Sequence, residues 1–471
     1  MKTRFMKFIL AGMFSSICFV TNAQQKNNLP ETHSFTAKEA VDYAMKNAVQ
    51  VKNALLDVKI QEQTNKGITA MALPQISASG SLSYNPNVAV QTIPDFISPA
   101  VYGVLTQNNV KNGNGDPITA PDKFGFFSVG FGAKYTLNGG IDFNQLLFDG
   151  QVFVGLQARK ASIKNAELTA DITKEQIKTN VYKIYYQLVV GQRQIGSLDA
   201  NIANYEKLLH DTKQIYNNGF AEKLDVNKVQ VQLSNLETQK LKAQNQIDAG
   251  KEGLKFLMNI PQQDQLILTD TLSDEELKSG ILDENYDYEN RKEVQQLETA
   301  MELGKFNVKR YQLSKLPTLS LAGNYSRSAQ REKFDFLTGT YFTSSFIALR
   351  LNIPIFDGGT RNSNIATARL NLMKMNNQLD QLKSSIDNDV AQSRINMKTA
   401  LITMDSQKKN IDLAESVYNS TKLKYDQGLG SNQEISTAQA DLVTAQNNYY
   451  SSLYDAIIAK IDYLTASGKL Q

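Results

Sequence analysis

The chain has 471 residues, with 50 Lys and Arg against 47 Asp and Glu, a formal charge of +3, 41% hydrophobic residues and a single cysteine. That balance gives no basic surplus to suggest nucleic acid as a partner. Cys18 lies in the N-terminal segment, so the rest of the chain has no thiol for a disulfide, a metal or a nucleophilic reaction. Beyond that segment no apolar run approaches the roughly 18–20 residues of a membrane helix, so any membrane span has to be built from strands.

The elements follow in chain order. Residues 1–23 read as a secretory signal peptide: Lys2, Arg4 and Lys7 form a positive start, Phe8 to Val20 is mostly apolar, and Thr21-Asn22-Ala23 suits a cut ahead of Gln24. Ile17 before Cys18 is a poor lipid-acceptor context, so no lipid anchor is expected. Losing the three basic residues leaves a mature chain with no net formal charge. Thr36-x-x-Glu39 is a capping box that opens a helix over 36–71. In QISASGSLSY, residues 75–84, Ile76, Ala78, Gly80, Leu82 and Tyr84 alternate with Ser77, Ser79, Ser81 and Ser83. This is a strand with one apolar and one hydroxyl face. A stretch with Pro86, Pro94, Pro99, Pro117 and the glycines of NGNGDP reads as a long loop. The alternation resumes over 126–137, where Phe127, Val129, Phe131, Ala133, Tyr135 and Leu137 oppose Ser128, Gly130, Gly132, Lys134 and Thr136. Residues 151–217 then read as one helix of roughly 100 Å. Its seam is Ile195, Leu198, Ile202, Tyr205, Leu209, Thr212 and Tyr216, stepping by three and four. A helix over 222–258 follows.

The chain is then written a second time, with helix 286–314, strands 318–326 and 345–355, and helices 360–426 and 432–466. Pro74 corresponds to Pro317, Phe148-Asp149-Gly150 to Phe356-Asp357-Gly358, and Tyr216-x-x-Gly219 to Tyr425-x-x-Gly428. The repeats divide as 24–281 and 282–471, and the first carries about 35 extra residues between its proline and its FDG. Four strands cannot close a membrane barrel, because the smallest use about eight. Helices that are polar on most faces give the sheet no core to lean on, which makes lipid the partner of its apolar face.

The motifs have local physical roles. Asp149 and Asp357 cap helix starts, and Gly150 and Gly358 allow the bend from strand to helix. Gly219 and Gly428 suit left-handed C-caps at helical hairpin tips. Asp225 and Glu434 each lie six residues past a tip glycine, where a carboxylate complements the dipole of the returning helix. His33 and His210 are the only histidines and read as solvated residues. Nothing resembles a nucleophile elbow, a phosphate-binding loop or a clustered metal site, so no catalytic residue, cofactor or metal is expected.

Leader, duplicated strand–helix units, Leu-Pro before a strand, FDG after its partner and YxxG at each hairpin tip together resemble the TolC-like outer membrane efflux protein family. FTAKEAVDYAMKNAVQVKNA is similar to that family's first helix, and the resemblance covers about residues 34–467. It implies a mainly α fold with a small β part: a homotrimer whose twelve strands form a barrel in the outer membrane lipid, continued by a periplasmic α-helical barrel. It further implies a passive duct working with a periplasmic adaptor (membrane fusion protein) and an inner-membrane pump of the RND, ABC or MFS type. The tips Tyr216, Gly219, Asp225, Tyr425, Gly428 and Glu434 would form the periplasmic aperture and the adaptor contact. Glu434 falls where the family has a first acidic aperture residue. The second acidic position falls at Thr437, and Gly430 stands where some members have a latch arginine. A periplasmic coiled-coil adaptor or scaffold without a barrel is the other class open to the sequence, and it would come into solution without detergent.

Overall fold

In the computed structural model the described residues are 30–270 and 286–470. The expected leader 1–23 and the junction of the repeats at 281/282 lie outside them. The chain runs through β1 (Thr32–Phe35), helices Ala37–Asn47 and Val49–Ala70, β2 (Gln75–Tyr84), β3 (Val90–Pro94), helix Ile97–Gln107, β4 (Phe126–Gly130) and β5 (Tyr135–Phe148). It continues with helices Gly150–Asn217 and Lys223–Met258, then β6 (Gln265–Leu268) and helix Lys292–Leu313. Last come β7 (Thr318–Arg331), β8 (Phe342–Asn352) and helices Thr360–Asp426 and Asn432–Ala466. Two compact units take up these elements, and each draws on both copies of the repeat.

One unit, residues Asn53–Ile172 and Asp287–Asp387, carries an antiparallel sheet in the order β2-β5-β7-β8. The register sets Ile76 beside Phe143, Ala78 beside Ile141 and Leu82 beside Leu137. Across the next ladders Tyr325 meets Ile141, and Leu321 meets Leu349. These residues share one face, because side chains alternate strictly along each strand. The opposite face carries the β2 serines, Asn138, Asp142, Asn324 and Arg350, with the Asn324 amide donating to the Asp142 carboxylate at 2.9 Å. β2 and β8 are the outer strands.

The expected strand 126–137 is corrected. Its first part, β4, pairs with β3 in a separate hairpin, and the strand in the main sheet is β5, Tyr135–Phe148. The break falls at Gly132, whose φ is +130°, and Lys134 lies in the connection, its carbonyl accepting from the Asn85 N–H at 2.7 Å. Lys134 therefore does not sit on the polar face of the sheet. The long loop is also corrected. It holds β3 and the helix Ile97–Gln107, with Phe96–Phe127 and Tyr102–Phe124 ring contacts at 5.8 and 5.9 Å. In the second copy the strand ends at Asn352, ahead of Pro354, which has no N–H to give a ladder.

The other unit, Met1–Lys52, Thr173–Tyr286 and Asn388–Gln471, has its apolar side chains in clusters along the helices. Ala37, Ala40, Val41, Ala44, Ala48 and Val51 pack on Ile177, Val181, Tyr185, Leu188, Leu254 and Met258. The small residues let the helices approach closely, and at Gly250 an added Cβ would lie 2.7 Å from Leu188. The capping box forms as a pair of bonds: Glu39 N–H donates to the Thr36 hydroxyl at 3.3 Å, and Thr36 N–H to the Glu39 carboxylate at 2.8 Å. The helix expected over 36–71 is divided at Ala48, which has extended backbone.

β1 and β6 form a parallel pair with His33 beside Leu266. Here the reading of His33 as solvated is corrected. Its Nε2–H donates to the Asp264 carboxylate at 3.0 Å, and its ring stacks on Phe35 at 5.9 Å. A lone histidine looks solvated in sequence because nothing local announces a partner 231 positions away. Lys255 is buried nearby, its ammonium donating to the carbonyls of Gln262 and Asp264 and pairing with Glu252 at 2.7 Å. His210 is exposed on its helix. Among the described residues no helix is long and apolar enough to cross a membrane.

Candidate functional site: hairpin tips and strand–helix turns

Each tip begins where a long helix runs out of its own hydrogen bonds. In the first, Gly219 N–H donates to the Tyr216 carbonyl at 2.9 Å and Phe220 N–H to Ile215 at 3.0 Å. In the second, Gly428 N–H donates to Tyr425 at 2.9 Å and Leu429 N–H to Lys424 at 2.9 Å. Both are Schellman caps, which need a left-handed residue, and Gly219 and Gly428 have φ of +81° and +76°. The residue after each glycine is a large apolar side chain left in the open: Phe220 is 86% and Leu429 79% exposed.

The returning helices start on different caps. Asp225 ties the helix start to Glu222: the Asp225 carboxylate accepts from the Glu222 N–H at 3.3 Å, and the Asp225 N–H donates to the Glu222 backbone carbonyl at 3.0 Å. At the second tip the Ser431 hydroxyl accepts from the Glu434 N–H at 3.2 Å. The Glu434 carboxylate takes no part in that cap and stands exposed. Thr437 accepts from the Gln433 side-chain amide at 3.3 Å, so an uncharged hydroxyl fills the next turn.

The structure brings the two tips together. Lys228 donates to the Gln433 side chain at 3.2 Å, and the Asn432 amide to the Asp225 carbonyl at 3.4 Å. Beneath them Leu198, Tyr205, Leu209, Val229, Leu233, Tyr418, Ile435 and Leu442 form one apolar cluster. Burial pushes the Tyr205 phenol up to about 12, with Tyr418 adding to it, so this packing stays uncharged at any working pH. Gln439, 1% exposed in the same helix layer, has neither amide atom paired. Nothing in its sequence context marks that burial.

The strand–helix turns use the same economy of parts. The Asp149 carboxylate accepts from the Gln151 N–H at 2.7 Å. Gly150 is required by proximity, since a Cβ there would lie 2.8 Å from the Leu313 side chain. In the second copy Asp357 accepts from Gly359 N–H, Arg361 N–H and the Arg361 guanidinium at 3.1, 3.0 and 2.7 Å. Desolvation raises the Asp357 carboxyl, but those donors outweigh it and hold the group below its ordinary value. Gly358 and Gly359 carry φ of +66° and +88°. Among the described residues no group of His, Cys, Asp or Glu is arranged to hold a metal ion.

The described chain thus joins a sheet with one apolar face, through capped turns, to helices that reverse at glycine-capped tips. The chain belongs to the outer membrane efflux protein family, which it matches over residues 40–259 and 288–469. It is 21% identical over 339 residues to outer membrane protein TolC of Vibrio cholerae, covering 71% of this chain and 77% of that one. Among solved structures it is similar to CusC, with a TM-score of 0.70 at 15% identity, covering 94% of this chain and 95% of that one. It is also similar to VceC of Vibrio cholerae, with a TM-score of 0.66 at 15% identity, covering 92% and 96%. The chain is thus an outer membrane channel subunit of a tripartite export system.

Proposed function

We propose that three copies of this chain close a twelve-stranded barrel and continue it as a helical duct. Cargo handed over by an inner-membrane pump and a periplasmic adaptor passes through it without chemical change. The observation that carries this reading is the four-stranded sheet with one apolar face and two unpaired edges. Left open, such a sheet is a template for aggregation. Three antiparallel pairings make β2 and β8 run in opposite directions, so β8 of one copy meets β2 of the next in the same antiparallel sense and the ladder continues. On this reading Ile76, Leu82, Tyr84, Ile347 and Leu349 face lipid, and the β2 serines face a water-filled lumen. Tyr216, Gly219, Asp225, Tyr425, Gly428 and Glu434 form the periplasmic mouth, with Phe220 and Leu429 as the apolar anchors offered to the adaptor.

Molar mass measured in detergent by light scattering tests this reading. A particle of three chains is expected, extracted from the membrane fraction only with detergent. A monomer, or a protein that washes free without detergent, overturns the reading in favour of a soluble adaptor or scaffold.

A further inference from the structure

Among the described residues, two arginines of β7 stand on the apolar face of the sheet with no carboxylate in an ion pair, Arg331 at the β7–β8 connection and, further into the sheet, Arg327. The cross-strand row through it is Gly80, Gly139, Arg327 and Thr343. Arg327 is exposed, and among the described residues it makes no ion pair. Its guanidinium lies 5.1 Å from the centroid of the Tyr341 ring, and the Tyr341 hydroxyl is held by the Phe336 carbonyl. Arg331 also lies over the Tyr341 ring, at 5.8 Å, but its donors are taken up by backbone carbonyls. It donates to the carbonyls of Thr338 and Thr340 at 3.2 and 2.8 Å and so fastens the β7–β8 connection.

Beside Arg327 is an open cleft of about 470 Å³, walled by Leu137, Ile141 and Tyr325 and floored by Gly80 and Gly139. Neither glycine is there for the backbone, since neither has a positive φ. Neither is forced by close packing: a Cβ on Gly139 would meet nothing within 4 Å, and one on Gly80 only the Asn138 carbonyl at 3.9 Å. The missing side chains leave a trough that the chain itself does not fill.

Arg327 lies nine residues along β7 from Thr318, or about 30 Å at the rise of a strand. A tilt of about 40° reduces this to about 23 Å of height, close to the 25 Å apolar band of an outer-membrane barrel. Arg327 therefore marks the edge of that band remote from the helices. An arginine at the edge of a lipid-facing wall is tolerated because it reaches water or a headgroup, and lipid phosphate at this height is a group its guanidinium can bind.

We propose that Arg327, Tyr341 and the Gly80–Gly139 trough bind a phosphorylated membrane lipid, its phosphate on the guanidinium and an acyl chain along the trough. This rests on the barrel reading above. The test is native mass spectrometry of the full-length channel released from detergent, after incubation with diphosphorylated lipid A, with the same lipid lacking phosphates, or with inorganic phosphate. The wild type is expected to retain the phosphorylated lipid, and R327Q to retain about tenfold less, the scale of losing a charged hydrogen bond. K333Q, the same change of charge on the exposed connection, is expected to match the wild type. G139V keeps the charge, fills the trough, and is expected to lower retention as well. Equal retention by wild type and R327Q, or retention of the phosphate-free lipid as strongly, overturns the proposal. Displacement by millimolar inorganic phosphate also overturns it, leaving a bare anion site. Heat-resistant trimer on a gel separates the two readings: an assembled wild-type trimer that holds no phosphorylated lipid overturns this inference alone, and failure to assemble overturns both.

Discussion

At the tips, two carboxylates that look equivalent in the repeat have different surroundings. Asp225 ties its helix start to Glu222, and Glu434 is left to solvent. D225N is therefore expected to cost up to about 1 kcal/mol of helix stability with little change in ion selectivity. E434Q is expected to leave the melting temperature and the trimer unchanged while lowering cation selectivity, because like charges at a narrow mouth focus potential. Thermal melts and single-channel recording separate the two, and unchanged selectivity in an intact E434Q channel returns Glu434 to a helix-start charge. With Thr437 uncharged, the effect is expected to be smaller than that of a double acidic ring. Asp264 gives a second test. The His33 hydrogen bond, the Glu31 N–H and the charge of Lys255 hold its carboxyl below the ordinary value against partial desolvation. Its contribution to stability is complete above the unfolded carboxylate value of about 3.9 and is lost as pH falls through the lower folded value. The gap in melting temperature between wild type and D264N should therefore be constant near neutrality and close in acid. A gap that widens toward low pH contradicts the assignment. The turn residues were legible because a capping oxygen and a left-handed glycine act within a few positions. His33 and Gln439 were not, because their surroundings come from distant segments.

The helices show how much an element can declare alone. The long helix expected at 151–217 runs Gly150–Asn217, and its repeat partner runs Thr360–Asp426 as expected. Their ends are fixed locally by Asp and Gly caps. Strands declare less, since their pairing is chosen elsewhere. β2 falls on its expected residues because an unbroken alternation permits only one register. β5 runs on from the expected end at Leu137 to Phe148 through Gly139 and Gly140, which carry no side chains to display the alternation. Gly140 is a contact residue, for a Cβ there would sit 3.0 Å from Ser326 and 3.2 Å from the Tyr325 carbonyl. The two faces give the element-scale prediction. Ile347 is 84% exposed on the apolar face, paired with Gly323 at mid-strand. I347R is expected to cost about 2–4 kcal/mol in lipid and reduce heat-resistant trimer, and S79R on the opposite face is expected to assemble normally. Equal loss in both variants removes the assignment of faces.

At the scale of the whole molecule, duplication was legible and assembly was not. Repeated Pro, FDG and YxxG positions reveal two copies, but the compact units cut across both. The unpaired edges of β2 and β8 call for further chains without stating how many. The β1–β6 pair has a consequence of another kind. Its strands are parallel, and Thr32 meets Gln265 only after five helices and the four strands β2 to β5 have been made. Closing a loop of that length costs about 5 kcal/mol of chain entropy, so the ladder has to wait for the contacts that enclose it. A polypeptide delivered N-terminus first thus exposes a segment that cannot mature until more than half of the chain has followed. β1 stays without its partner strand until β6 has followed, while the first sheet ladder, β2 with β5, needs only residues up to Phe148.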